Sequence, residues 1–231
     1  SMIEKWLNTI QQGDCLELMK QLPDKCVDLV VTDCPYFIVA GGSTVPMGGI
    51  FSSEFARSGG MFEHNSIEFA EWLPEIYRLL KDGTHAYIMI NGRNLAELQL
   101  EAQKVGFEYQ NTLIWEKGTV TPNRYYMQQC EFILMLSKRP ARTINKPGTS
   151  NIFHVQNNIR DKQHPTGKPV ELMEAFIENS SNPNATVLDP FMGSGTTARA
   201  CKDLGRNFIG FEINQKYVDI ANKRLQQEVL L

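Results

Sequence analysis

The chain has 231 residues, with 23 Lys+Arg against 26 Asp+Glu for a formal net charge of −3, and 42% hydrophobic and 21% charged residues. This is an ordinary globular composition, long enough to bury a substantial core. No apolar run approaches a membrane-spanning helix, and the first residues lack a charged-then-apolar targeting pattern, so a cytoplasmic protein is expected. The five cysteines (Cys15, Cys26, Cys34, Cys130, Cys201) form no C-x-x-C pair, which argues for reduced thiols and against a zinc site; no metal is expected.

Taken in chain order, helical spacing covers 14–21, and the apolar run 27–32 reads as a buried strand. Residues 37–66 carry no convincing element and hold Gly41, Gly42, Gly48, Gly49, Gly59 and Gly60. So long an irregular stretch reads as a mobile loop over a site. Helical spacing returns at 67–80, a strand at 86–90 and a helix at 95–105. Strands at 109–115 and 132–137 then follow without an obvious helix between them, which predicts an antiparallel pair at one sheet edge. Residues 139–163 are polar, basic and irregular. Helix 170–179, strand 186–188, helix 196–204, strand 207–211 and helix 215–229 complete the chain. Alternating strands and helices predict an α/β domain, with a mostly parallel sheet covered by helices on both faces.

The near-neutral total conceals a segregation of charge. Between Lys117 and Lys168 nine basic residues face two acidic ones, a surplus of seven, so the remainder carries a deficit of ten. Such asymmetry suits a nucleic-acid surface, and a solvated basic face is the plain alternative.

The clearest motif is Thr186-Val187-Leu188-Asp189-Pro190-Phe191-Met192-Gly193-Ser194-Gly195-Thr196-Thr197. A short strand ends in a carboxylate, passes a Gly-x-Gly turn and enters a helix, where Thr196 is expected to cap. Gly193 and Gly195 would let the backbone approach a ligand closely. Glu212, at the end of the next strand, stands where an acid can accept both hydroxyls of a cofactor ribose. A dinucleotide oxidoreductase fits this element too, with Ala198 at the third glycine position. Asp189 favours S-adenosylmethionine over NAD, because a carboxylate there repels a pyrophosphate and attracts an amino-acid ammonium.

Thr32-Asp33-Cys34-Pro35-Tyr36-Phe37 follows the first strand, at a strand end that faces the ligand crevice of an open α/β sheet. The Asp33 carboxylate and the Cys34 carbonyl could accept the hydrogens of an exocyclic amine and free its delocalised lone pair for methylation. Pro35 stiffens the turn, and Tyr36 offers a stacking face for a base extruded from the duplex.

At this point the chain resembles the amino-directed DNA methyltransferases. Asp33-Cys34-Pro35-Tyr36 is similar to their catalytic Asp-Pro-Pro-Tyr, and Asp189–Thr197 to their Phe-x-Gly-x-Gly cofactor motif. His164-Pro165-Thr166-Gly167-Lys168-Pro169 is similar to their His-Pro-Thr-Gln-Lys-Pro box, and Gly13-Asp14-Cys15 to the segment that reads the cofactor adenine. The order of these motifs is that of the β-class, whose sheet is a circular permutation of the usual Rossmann-like methyltransferase sheet. The resemblance implies one catalytic domain over 2–231, with S-adenosylmethionine as cofactor and N6 of adenine in duplex DNA as target. N4 of cytosine is the close alternative, and a DNA-binding module with a weakened active site is another class. It implies cofactor contacts from Asp14, Cys15, His164, Thr166, Lys168, Asp189, Pro190, Phe191, Gly193, Gly195, Thr196, Thr197 and Glu212. DNA contacts are expected from Arg124, Tyr125, Lys138, Arg139, Arg142 and Lys146, with 139–163 as a short recognition segment. The resemblance leaves room for a homodimer and for a restriction endonuclease partner. Two departures stand out. Cys34 replaces the first proline, where the position works through its carbonyl, and Gly167 replaces a frequent glutamine.

Overall fold

The computed structural model describes residues 2–35, 67–156 and 168–227. Tyr36, the 37–66 loop, the 157–163 part of the recognition segment, His164 and Thr166 lie outside them. The described chain forms eight strands: β1 (Thr9–Gln12), β2 (Val27–Asp33), β3 (Leu80–Ile90), β4 (Glu108–Thr121), β5 (Gln128–Ser137), β6 (Ile152–His154), β7 (Thr186–Asp189) and β8 (Asn207–Glu212). Six α-helices accompany them: α1 (Cys15–Met19), α2 (Phe69–Leu79), α3 (Gly92–Val105), α4 (Val170–Ser180), α5 (Thr196–Leu204) and α6 (Gln215–Gln226). No helix among the described residues is long and apolar enough to cross a membrane.

The strands make one sheet in the order β1-β8-β7-β2-β3-β5-β4-β6. Counted from β7, the first five positions read 3-2-1-4-5, the doubly wound order, so the sheet is a circular permutation of a Rossmann-like one. The expected antiparallel pair is β4 and β5, and β5 is the antiparallel member. It lies inside the margin, because the three-residue β6 adds to β4 in parallel and covers that edge. Neither β1 nor β6 is legible as a strand: each is a short margin strand, and β1 buries only Ile10.

Alternation along the central strands divides the core. Val30, Ala86, Ile88, Leu134 and Leu136 point to the face covered by α1, α2 and α3. Leu29, Val31, Tyr87, Met89, Ile133 and Met135 point to the face covered by α4, α5 and α6. Local chemistry sets the helix starts. Asp14 caps α1 by accepting from Leu16 N, Glu68 and Glu71 form a capping box at α2, and Asn91 and Asn214 cap α3 and α6.

The segment after β5 runs along the sheet edge opposite the C-terminal ends of the parallel strands. Arg139 pairs with Glu108 at the start of β4. The Arg142 carbonyl accepts from His85 Nε2 at 2.8 Å near the start of β3. Lys146 pairs with Glu178 at the end of α4, at 3.1 Å. Lys138 is buried, with 7% of its surface exposed. Its ammonium donates to the Tyr77 and Leu80 carbonyls at 2.7 and 2.8 Å and lies 4.6 Å from the Tyr77 ring centroid. The expectation that Lys138 faces DNA is therefore corrected: it caps the carbonyl end of α2, where a cation is favoured. Lys138→Met should lower stability by about 2 kcal/mol through the two orphaned carbonyls. DNA affinity should stay unchanged, as urea unfolding and a DNA-binding titration would show.

Candidate active site

The strand order reverses between β7 and β2, and ligands of open α/β sheets bind beyond the strand ends at such a point. The two strands share parallel register at Leu29↔Val187 and Val30↔Leu188. Just beyond, Thr32 Oγ1 donates to Asp189 Oδ1 at 2.6 Å, joining residues far apart in the chain. A cavity of about 230 Å³ opens there, lined among others by Asp33, Lys168, Asp189, Phe191, Gly193 and Tyr217. Of the sequence candidates, Asp33, Lys168, Asp189, Phe191, Gly193, Thr196 and Thr197 thus meet at this cavity.

Asp189 is 3% exposed. Its Oδ1 also accepts from Phe191 N at 3.0 Å, which shapes the turn that follows. Dehydration pushes its pKa up to about 7 against the hydrogen bonds from Thr32, Thr197 and Phe191 N, with Asp33 adding to the rise. Pro190 stands between Asp189 and Phe191 in this turn, and the Phe191 ring meets Trp72 edge-on at 5.2 Å.

The two glycines do different work. Gly193 has φ +56, and a Cβ there would have only the Phe191 carbonyl, at 4.0 Å, within reach. The space beside it is left for a ligand. Gly195 has φ +85, and a Cβ there would stand 2.7 Å from Ala221 Cβ. Its smallness lets α5 pack against α6, a packing reason for glycine that the motif alone does not reveal. Gly195 is also the residue that precedes α5, with no side-chain cap, and the expected Thr196 cap does not form. The Thr196 hydroxyl instead accepts from Arg224 Nη1 at 3.0 Å. Thr197 is buried and faces Asp189.

Glu212 closes the other side of the turn. Oε2 accepts from Gly193 N at 2.8 Å and Oε1 from Asn214 N at 3.0 Å. Its carbonyl accepts from Gly13 N at 3.0 Å, which brings Asp14 and Cys15 beside the β8 end. The Cys15 thiol is pushed up to about 12 by burial, with Asp14 adding to it. Each Glu212 oxygen keeps a second lone pair for a ligand hydroxyl.

On the β2 side, Asp33 borders the cavity. Dehydration raises its carboxyl above the ordinary range, Lys168 opposes the rise and Glu131 adds to it. Cys34 is buried, with Sγ donating to the Met89 carbonyl at 3.5 Å, and Pro35 follows it. Lys168 lies 3.7 Å from Asp33 and is ion-paired with Glu131, so it stands beside the β2 carboxylate as well as the cavity. Glu131 was not anticipated. It reaches this end of the sheet because β5 runs backwards, and its one sequence signal is an acid at the head of the apolar run 132–136.

The β4–β5 turn projects past the same edge. Tyr125 and Tyr126 are 80% and 87% exposed, and Arg124 lies 5.8 Å from the Tyr125 ring centroid. Among the DNA candidates, Arg124 and Tyr125 share the edge of Asp33, whereas Lys138, Arg139, Arg142 and Lys146 lie at the other. Among the described residues, acids from outside 117–168 also pair with part of its basic surplus, as in Arg139–Glu108 and Lys146–Glu178.

Residues 27–223 match the DNA methylase family of N6 and N4 methyltransferases. The chain belongs to that family. It is 34% identical to the type II methyltransferase M.HinfI of Haemophilus influenzae, over 97% of this chain and 70% of that one. Identity to type II methyltransferase M.HpaI of Haemophilus parainfluenzae is 29%, over 94% and 73%. A crystal structure of an M1.HpyAVI–SAM complex superposes with TM-score 0.70 at 30% identity, over 94% of this chain and 99% of that one. The cytosine-N4-specific PvuII methyltransferase, at 18% identity and TM-score 0.71, shares the fold, which therefore does not choose the base. As a family member the chain is a DNA amino-methyltransferase whose methyl donor is S-adenosylmethionine. The cavity suits that cofactor: Gly193 leaves room beside it, and two strand-end carboxylates offer their charge to a cationic, zwitterionic ligand.

Asp189 provides a test. With a folded-state pKa raised to about 7 from an ordinary 3.8, folding takes up a proton between those values. Its contribution to stability is present at low pH and lost as pH rises through about 7. Asp189→Asn should therefore gain stability relative to the parent at pH 8 and not at pH 4, in paired urea unfolding curves. The same variant should bind S-adenosylmethionine at least tenfold more weakly, by calorimetry.

Proposed function

We propose that this protein transfers a methyl group from S-adenosylmethionine to N6 of adenine in duplex DNA, on a base rotated out of the helix. The observation that carries the reading is the Asp33 carboxylate at the rim of the switch-point cavity, across from the Gly193 turn. The cofactor supplies an electrophilic methyl on a cationic sulfur. The chain's own residues do the rest.

Asp33 accepts from the exocyclic amine and holds its lone pair toward the cavity, with the Cys34 carbonyl as second acceptor. Burial of the Cys34 side chain against Met89 and the restricted φ of Pro35 keep that turn in one shape. Tyr36 stacks on the extruded base. On the cofactor side, Asp189 attracts the ammonium, Glu212 accepts the ribose hydroxyls, Asp14 and Cys15 border the adenine, and His164, Thr166 and Lys168 border the methionine end. Gly193 admits the ligand to the backbone.

The resemblance of a tetrad headed by aspartate favours adenine over cytosine. Arg124 and Tyr125, exposed beside the active edge, contact the duplex near the extruded base. Tyr126 presents a further stacking face.

The experiment is incubation of duplex DNA with the protein and S-adenosylmethionine, followed by hydrolysis and nucleoside analysis. N6-methyl-2'-deoxyadenosine should accumulate, and N4-methyl-2'-deoxycytidine in its place would replace the adenine assignment. Asp33→Ala should lower the single-turnover rate by at least 10³-fold while cofactor binding survives. Equal rates for Asp33→Ala and the parent would refute the assignment of this site.

A further inference from the structure

Four charged side chains, Asp33, Lys117, Glu131 and Lys168, stand together on the β2–β4 side of the cavity, and only Asp33 meets the target amine. Glu131 forms ion pairs with both Lys168 and Lys117, the latter at 3.3 Å. Lys168 also lies 3.7 Å from Asp33 Oδ2, inside ion-pair range and beyond hydrogen-bond length. The Lys168 ammonium is further held 5.6 Å from the Trp115 ring centroid. Trp115 is fully buried and anchored through its Nε1 donation to the Val155 carbonyl at 2.7 Å. Lys168 therefore has a fixed resting place beside Asp33.

That place has a chemical consequence. A carboxylate that must accept from a neutral amine has to be ionised, yet its oxygens have to remain available. Dehydration of the cleft works against the first condition, and a lysine bonded directly to Asp33 would violate the second. At 3.7 Å, with Glu131 Oε2 taking one of its donors, Lys168 satisfies both conditions: its charge acts on Asp33, while its contact there is too long to fill the carboxylate's acceptor positions. We infer that Glu131 and Lys168 are a positioning pair, in which Glu131 holds Lys168 at a stand-off that keeps Asp33 ionised and free to receive the target amine.

The inference rests on the assignment of Asp33 in the proposed function and adds two residues to it. Among the described residues, the charged and titratable groups facing Asp33 come from several elements: Glu131 from β5, with Lys117 from β4 behind it, Lys168 ahead of α4, Asp189 from β7, and the neighbouring Cys34 thiol. Glu131 itself stays ionised. Burial is the largest single influence and would raise it, but Lys168 and Lys117 together hold it below the usual range. Asp33 stands on the other side of the balance, with dehydration outweighing the nearby cation. Its protonation is therefore the one most sensitive to removal of Lys168.

Two variants move Asp33 in opposite directions. Lys168→Met removes the cation and leaves Glu131 as a nearby like charge, so the Asp33 carboxyl should titrate about one pH unit or more higher. Glu131→Gln releases Lys168 to close on Asp33, so that carboxyl should titrate lower, and the plateau rate should fall because the lysine now occupies the amine's acceptor. Lys168→Arg should restore a parental midpoint. The measurement is the carbon-13 carboxyl titration of Asp33, assigned by its loss in Asp33→Asn, alongside single-turnover methylation against pH. The NMR readout does not require activity, so it decides the question for a slow variant as well. Equal Asp33 midpoints in parent, Lys168→Met and Glu131→Gln would overturn the inference, as would shifts of the same sign in the two variants. Failure of the parent to methylate DNA would instead count against the proposed function.

Discussion

The structure depends on the parallel pairing of β2 with β7 and the hydrogen bond from Thr32 to Asp189 just beyond it. Only two residue pairs define the register, yet they bring the Asp-Cys-Pro turn and the glycine turn to one crevice. Both strands are buried on both faces, so neither can slip by one residue without exchanging its core side chains for those of the opposite face. The Thr32–Asp189 bond also satisfies a buried carboxylate that would otherwise be a liability. The same burial that makes Asp189 costly to ionise would strengthen its pull on a cationic ligand, so under the proposed function stability and binding oppose each other at this residue.

The site has a division of labour that follows from strand direction. Parallel strands deliver their C-terminal ends to this side of the sheet: Gln12 from β1 with Gly13 after it, Asp33 from β2, Asp189 from β7 and Glu212 from β8. Glu212 holds the Gly193 turn, the start of α6 through Asn214 N and, through its carbonyl, Gly13. The antiparallel β5 delivers its first residues instead. That is how an acid far from every motif comes to stand beside Lys168.

Much of the site was legible because each motif is contiguous and has a local physical reason. A strand ending in Asp, a Gly-x-Gly turn and a following helix form where the sequence pattern puts them, and Glu212 at the next strand end bonds to the Gly193 turn. Details that depend on neighbours outside the motif were read less well. Thr196 looks like a helix cap in isolation, but the left-handed Gly195 takes the capping position and Arg224 claims its hydroxyl. Lys138 looks like part of a basic surface, but it follows a buried strand and finds two carbonyls at the end of α2. The basic surplus of 117–168 is real as a count, whereas its surface field is reduced by acids contributed from elsewhere in the chain.

The sequence by itself determined the α/β class, the central strands, the helices that cover them and the identities of the two strand-end carboxylates. These follow from periodicity, burial on both faces and turn chemistry, all of which act over a few neighbouring residues. The tertiary structure decided the short margin strands β1 and β6, the inward place of β5, and which basic residues share an edge with Asp33. It also decided the separate tasks of Gly193 and Gly195 and the company of Lys168. Each of these depends on what lies across a strand boundary or at the far end of a helix, and such through-space contacts leave no regular period in the chain.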